Sequence, residues 1–546
     1  MLRHTTPDVA IFNIHTSPRD LVRSTQTSVR DGRLSLHHRD FSWLLLMCEY
    51  CGKMNRLVAT IALLILPTCL VAQSNMYSSW PNFPQSPNFF PIVVFLQDPQ
   101  WSMGSGAPYS SVPLALKGAK INIVLPVENG YPTTFGVDPG GRFQALASQG
   151  IYFVAGNVDQ TGNTSPTSVA SYEAMAASIG ATQYLIGYNL GDEPTCSTMA
   201  NFPSIVSTVS SFDSSRPIFW NFTDWVFSHG SCYPPSNSTN TSALQAISIG
   251  SFDVYPLTGP WNGGSSIPFV AGQAQDNMWI NGWSVAQFVA LGRAGQPIWG
   301  FVDTGTNELG YSSQNGSSCN TSTNLCTSDN HEYRATAEQV NAEVWMDIIN
   351  GAMGVEYFCD DTSLATGQTA YNFCLGSTTE GEGSVSATIA SNLTYVNTNI
   401  LSYAPQLNSS VLGRCTMNKG TGYTNYTTSC SNGILSMSTG TSSVPGSAIV
   451  KSYNGTPYLF ADSDRNGSAT MTFTLSGYAG STATVVYDSN AQYDPAHSSV
   501  GSSFTLNGNG QFSDTFGANS HNYQPKMYKI TSGGPAAPSG LTATVQ

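Results

Sequence analysis

Charge is scarce in this chain of 546 residues: 10% are Asp, Glu, Lys or Arg, and 20 Lys+Arg stand against 33 Asp+Glu for a net charge of -13. Nucleic-acid binding needs clustered cations to neutralise phosphates. No such cluster occurs, which excludes nucleic acid as a partner. Also lacking is an apolar run of the ~20 residues that a membrane helix requires. The run from Leu57 to Leu70 is too short, so no membrane span is expected. The histidines are scattered, and the cysteines after Ser74 include no C-x-x-C spacing, so neither a metal nor a cofactor is expected. What remains is a surface rich in Ser, Thr, Asn, Gly and Tyr, suited to an exported protein that meets neutral polymers.

Residues 54–74 fit that expectation. A short basic start, Met54-Asn-Arg, leads into the apolar run and then into small residues with a cut expected after Ala72, the pattern of a signal peptide. Residues 1–53 then read as a misassigned upstream extension, and the protein is expected to be secreted or extracellular, with a periplasmic or cell-surface destination also open. The eight cysteines after Ser74 fall into sequence-local pairs, Cys196 with Cys232, Cys319 with Cys326, Cys359 with Cys374 and Cys415 with Cys430. An oxidising compartment favours their bonding. Sequons at Asn221, Asn237, Asn240 and Asn392 are no more than chance supplies in a chain this rich in Asn, Ser and Thr.

The length predicts two or three domains. From about residue 89, short apolar runs alternate with longer mixed segments, the pattern of βα units. Eight strands are predicted: Pro91 to Gln97, Ile121 to Pro126, Ile151 to Ala155, Tyr184 to Leu190, Pro217 to Asn221, Ala246 to Tyr255, Pro297 to Val302 and Gly354 to Cys359. Helical spacing recurs between them, as in Val169 to Ile179 and Ala335 to Gly351. In the latter, Val340, Val344, Trp345 and Ile348 share one face and Gly351 ends the helix. No glycine-rich phosphate loop follows the first strand, which disfavours a doubly wound open sheet. The fold class is therefore α/β, a (β/α)₈ barrel over residues 75–405. Near residue 405 the texture turns to short alternating segments, predicting an all-β sandwich over residues 406–532. The tail 533–546 reads as a linker, and its Pro-Ser-Gly-Leu-Thr-Ala-Thr-Val resembles the opening of a fibronectin type III module. A monomer is expected.

Chemistry centres on Tyr184-Leu-Ile-Gly-Tyr-Asn-Leu-Gly-Asp192-Glu193-Pro194, a strand ending in two carboxylates. Asp followed by Glu-Pro also opens helices well, so this motif alone leaves capping and catalysis both open. Polar or aromatic residues follow the other strands too: Asp98 and Trp101, Glu128, Asn157, Asn221 and Trp225, Asp253 and Tyr255, and Asp303. Convergence of such groups at the carboxyl ends of parallel strands is what a barrel active site needs. Trp101, Tyr255, Trp261, Trp279 and Trp283 are candidates for stacking on a ligand face, with core packing the alternative for each.

Asp192-Glu193-Pro194 on the fourth strand resembles the Asn-Glu-Pro signature of the clan A glycoside hydrolases. Strand seven, Pro297-Ile-Trp-Gly-Phe-Val-Asp303-Thr-Gly305, resembles the clan's Pro-Ile-x-x-x-Glu-x-Gly segment. The resemblance implies a secreted glycosidase acting on a polysaccharide or oligosaccharide, with Glu193 as general acid/base and Asp303 as the second carboxylate. This chain departs from the clan twice: Asp192 stands where the clan has Asn, and Asp303 stands one residue later than the clan's Glu. Glu308 and Glu356 are therefore reserve acids, Glu356 because it lies within the last strand, where it can face the barrel interior beside Glu193, with a buried hydrogen-bonded acid that tunes a neighbour's pKa as the alternative. An Asp-Glu pair also resembles the substrate-assisted hexosaminidases, in which the Asp orients a 2-acetamido group and the Glu is the acid. A barrel that binds polysaccharide without cleaving it is the third reading.

Overall fold

The computed structural model describes residues 76–96, 111–126, 141–155, 166–223, 238–256, 278–302, 304, 319–320, 325–326, 335–359, 387–418, 426–431, 433–517 and 523–532. Eight parallel strands close a barrel. They are β1 (Ile92–Leu96), β2 (Ile123–Pro126), β3 (Tyr152–Ala155), β4 (Leu185–Asn189), β5 (Ile218–Thr223), β6 (Ile249–Asp253), β7 (Ile298–Val302) and β8 (Gly354–Cys359). Neighbours follow chain order, and β8 returns to pair with β1. Helices α1 (Ser111–Gly118), α2 (Arg142–Ser148), α3 (Pro166–Ser178), α4 (Cys196–Phe212), α5 (Ser238–Ala246), α6 (Trp279–Leu291) and α7 (Ala337–Asn350) alternate with the strands.

The strands are apolar on both faces because both are covered. Inward positions Val93, Phe95, Ile123, Leu125, Phe219, Ile249, Trp299 and Phe301 fill the barrel, while Ile218, Trp220, Phe222, Ile298 and Val302 pack outward against the helices. The amino-terminal end of the barrel is closed by residues 76–90. Tyr77 stacks on Phe83 with ring centroids 4.2 Å apart, donates from its hydroxyl to Met353 O at 2.8 Å and accepts from Trp299 Nε1 at 3.0 Å. That leaves the carboxyl ends of the strands for chemistry.

Strand boundaries differ from the sequence reading most at β6. The apolar run begins at Ala246, but α5 continues through that residue and Ile247 N still bonds to Ala243 O, so the strand begins at Ile249. Helix α7 opens with a capping box in which Thr336 Oγ1 accepts from Gln339 N and Gln339 Oε1 accepts from Thr336 N. It closes at Gly351, as expected. It does not, however, have one buried face: Gln339 to Asn350 are all buried.

The cause is the second layer of structure. An antiparallel sandwich follows, built from β9 (Ser410–Asn418), β10 (Thr427–Cys430), β11 (Leu435–Thr439), β12 (Gly446–Tyr453), β13 (Thr456–Ser463), β14 (Ala469–Leu475), β15 (Thr482–Asp488), β16 (Ser503–Thr505), β17 (Gln511–Phe516) and β18 (Lys526–Thr531). Its seven-stranded sheet runs β10-β9-β12-β13-β18-β15-β16, and a three-stranded sheet runs β11-β14-β17. The larger sheet covers the outer side of α7. Trp345 Nε1 donates to Tyr487 OH at 2.9 Å, Tyr487 OH donates to Asn341 Oδ1 at 3.1 Å, and Trp345 stacks near Phe460.

Cys415 and Cys430 face each other across β9 and β10 and are disulfide-bonded. Cys196 is also disulfide-bonded. Cys319 and Cys326 are opposite one another in a two-residue antiparallel ladder. Cys232 and Cys374 lie outside the described residues. Among the described residues no helix is long and apolar enough to cross a membrane.

Candidate active site

Alternation along the strands builds a polar layer above the apolar barrel floor. On β5, Asn221 is two residues beyond the inward Phe219. On β6, Ser251 and Asp253 follow the inward Ile249, and on β8 Glu356 lies between the outward Val355 and Tyr357. Ser251 and Glu356 are fully buried, and Asn221 is 1% exposed.

The chain leaves β4 through Leu190 and Gly191. Gly191 has φ 145°, which a side chain would strain, and a Cβ there would lie 3.2 Å from the Trp220 indole. Trp220 itself stacks on Phe202 of α4 at 3.7 Å. Asp192 and Glu193 follow directly. Glu193 has φ 37°, an unusual conformation for a residue other than glycine and one that recurs at functional sites.

Neither acid caps the next helix. The N-cap of α4 is Thr195, whose Oγ1 accepts from Thr198 N, so of the two readings of the Asp-Glu-Pro motif the helix cap is removed. The two acids then part company. Asp192 is half-buried and its Oδ1 accepts from Asn221 Nδ2 at 2.8 Å, while the Glu193 side chain is exposed.

From Asp192 a continuous polar path enters the barrel. Asn221 Oδ1 lies 3.1 Å from Ser251 Oγ, which lies 2.7 Å from Glu356 Oε2. Burial pushes the Glu356 carboxyl up to about 8, opposed by the Ser251 hydrogen bond and reinforced by the charge of Asp192. Burial thus favours the protonated form of Glu356. Glu356 does face the interior, but among the described residues the charge that acts on it is that of Asp192 and not, as the sequence reading had it, a neighbouring Glu193.

Other expected residues divide by location. Asp253 ends β6, half-buried, and Tyr255 follows it with its ring edge-on to Phe301 and Phe358 at 5.8 and 5.7 Å. Thr304, just after β7, donates from its hydroxyl to Phe358 O at 2.8 Å, tying β7 to β8 at the mouth. Asp98, Trp101, Glu128, Asn157, Trp225, Trp261, Asp303 and Glu308 lie outside the described residues. Trp279 is 2% exposed and packs against Trp283 and against Tyr426 of the sandwich, so packing, of its two readings, describes it. Asn221 and Asn392 are buried in the fold, which removes them as glycan acceptors. Ser251 is the residue that sequence reasoning missed. Its signal is the spacing Ile249-x-Ser251-x-Asp253, which puts all three on one face of a strand.

No family model and no curated protein matches this chain. Solved structures resemble it at low identity. A glycoside hydrolase aligns with TM-score 0.46 and 12% identity over 82% of this chain and 93% of its own. A glycoside hydrolase family 5 protein from Bacteroides vulgatus gives 0.45 and 13% over 81% and 90%, and an endo-beta-1,4-mannanase from Thermotoga petrophila gives 0.39 and 9% over 71% and 94%. Likenesses this distant leave the chemistry to be read from the chain's own residues.

Proposed function

We propose that this chain is an exported glycoside hydrolase that cleaves O-glycosidic bonds in a polysaccharide or oligosaccharide with carboxyl groups at the mouth of its barrel. The observation that carries the reading is the turn after β4. It directs one acid, Asp192, onto the Asn221 amide and presents the next, Glu193, to solvent at the end of the barrel where substrate can reach it. In this reading Glu193 protonates the leaving oxygen, and a second carboxylate, Asp303, attacks the sugar or activates water. General acid catalysis of this kind supplies ~10² to 10⁴ in rate. Export rests on the apolar leader of residues 54–74.

The Asn221 to Asp192 hydrogen bond also favours a second reading. An aspartate held rigidly beside the acid is what substrate-assisted cleavage needs, with Asp192 orienting a 2-acetamido group while Glu193 acts as acid. Release of new reducing ends across a panel of polysaccharides, with aryl hexosides and aryl 2-acetamido sugars beside them, tests both. Cleavage restricted to 2-acetamido sugars selects the second reading, and cleavage of plain hexosides selects the first. Binding to a polysaccharide with no new reducing ends on any substrate would leave a binding protein in place of an enzyme.

A further inference from the structure

Counting protons along the path from Asp192 into the barrel assigns a state to each member. Asn221 uses Nδ2 on Asp192, so Oδ1 of its amide faces Ser251 and accepts only. The flipped amide would set an oxygen against the Asp192 carboxylate. The Ser251 hydroxyl has a single proton but stands within hydrogen-bond distance of two oxygens, Asn221 Oδ1 and Glu356 Oε2. With Glu356 ionised, that proton would have to serve two acceptors at once. With Glu356 protonated, the count closes: Glu356 donates to Ser251, Ser251 donates to Asn221, and Asn221 donates to Asp192.

We propose that Glu356 is a positioning residue, and that as a neutral acid it orients Ser251 and Asn221 so that the Asn221 amide holds the Asp192 carboxylate ionised and fixed at the barrel mouth. The surroundings agree. The register partners of Glu356 on β1 and β7 are the uncharged Val93 and Phe301. Ser251 faces it from β6, Asp253 is the next inward residue on that strand, and among the described residues Asp192 is the titratable group whose charge acts on it. Burial, the largest influence on the carboxyl, favours the protonated form. Oε1 of Glu356 is buried without a hydrogen-bond partner among the described residues, which a carboxylate tolerates far less well than a carbonyl oxygen.

The test compares Glu356→Gln, which keeps a neutral donor toward Ser251, with Glu356→Met, which keeps the volume and loses the donor. The catalytic arm rests on the proposed glycosidase reading. There Glu356→Gln is expected to keep kcat within about threefold, while Glu356→Met and Ser251→Ala lose about tenfold or more in kcat with KM little changed, the loss of one oriented hydrogen bond. Equal damage in the Gln and Met variants would overturn the proposal, because Glu356 would then be needed as a titrating acid. Wild-type behaviour in the Met variant would overturn it equally.

Two readouts do not depend on turnover. The infrared difference between wild type and Glu356→Gln should contain the carbonyl stretch of a protonated carboxyl at pH 6, lost on raising the pH past about 8. Its absence at pH 6 would overturn the assignment. In the chain labelled at aspartate carboxyl carbons, with the Asp192 resonance identified by its loss in Asp192→Asn, its titration should move upward in Glu356→Met and not in Glu356→Gln. If no substrate is cleaved, the functional reading fails, and an unmoved Asp192 titration would still sink the positioning role on its own.

Discussion

A methyl group at Gly300 of β7 would lie 2.2 Å from Oδ2 of Asp347 on α7, so the strand and helix meet at this point only because the strand carries no side chain there. Asp347 is fully buried, neither of its carboxyl oxygens has a hydrogen-bond partner among the described residues, and burial pushes its carboxyl well above the ordinary range. Gly300→Ala should therefore destabilise the fold by ~1 to 3 kcal/mol through overpacking. Adding Asp347→Ala should recover part of that loss, read from urea unfolding of both single variants and the double. Strict additivity would show that the two residues do not compete for the space.

Glu193→Gln is expected to lower turnover on substrates with poor leaving groups by ~10² to 10⁴. A substrate with an acidic phenol leaving group needs less protonation and should suffer less in its glycosidic cleavage step. Asp303→Asn should disable both substrates if Asp303 is the nucleophile. Retention of activity in Asp303→Asn together with failure of Asp192→Asn on a 2-acetamido substrate would move the assignment to the substrate-assisted scheme. Full activity of Glu193→Gln on every cleaved substrate would remove Glu193 from the mechanism.

Stability should depend on pH through Glu356. Its carboxyl rises from 4.5 to about 8 on folding. Below about 4.5 the native and unfolded chains both hold this proton and the contribution is fully present. Between there and about 8 the unfolded chain alone gives the proton up, so stability falls as pH rises and levels off beyond. Glu356→Gln should flatten that decline by up to ~1.4 kcal/mol per pH unit, with Asp347 acting in the same direction in both proteins. An unchanged slope in equilibrium unfolding between pH 5 and 8 would contradict the burial argument.

Peptide mapping without reduction should recover Cys415 joined to Cys430, and with it the expected pairs Cys196 to Cys232, Cys319 to Cys326 and Cys359 to Cys374. Breaking the first pair with Cys430→Ser opens a loop of sequence separation 15 and should cost ~3 kcal/mol. Recovery of any cysteine in a different pairing would show that sequence locality misled the assignment.

The barrel strands were legible because each is a short apolar run closed by a turn residue, and buried parallel strands have little else to show. That same uniformity hid their orientation. Strand β8 is apolar on both faces, so only its one acid, Glu356, announced which side matters. For Ser251 the spacing from Ile249 to Asp253 shows only that the three share a face, and whether that face is inward depends on register, which neighbouring strands set. The turn after β4 was ambiguous for another reason. Asp192, Glu193 and Thr195 are all competent to open a helix, and only the observed start of α4 at Cys196 shows that Thr195 does so. Helix α7 looked one-sided because its strongest apolar residues form a stripe, whereas Asn341 is buried by the sandwich later in the chain and Asp347 against Gly300 of β7.

Because α7 is enclosed by the barrel on one side and the seven-stranded sheet on the other, the two domains have no helix face to part along. A chain cut after residue 405 would bare Trp345 and the apolar surface around it to water. The sandwich is thus part of the barrel's own wall and cannot be exchanged like a tethered binding module. Heat or denaturant should meet a single cooperative transition, and proteases should find no folded fragment to release between the two.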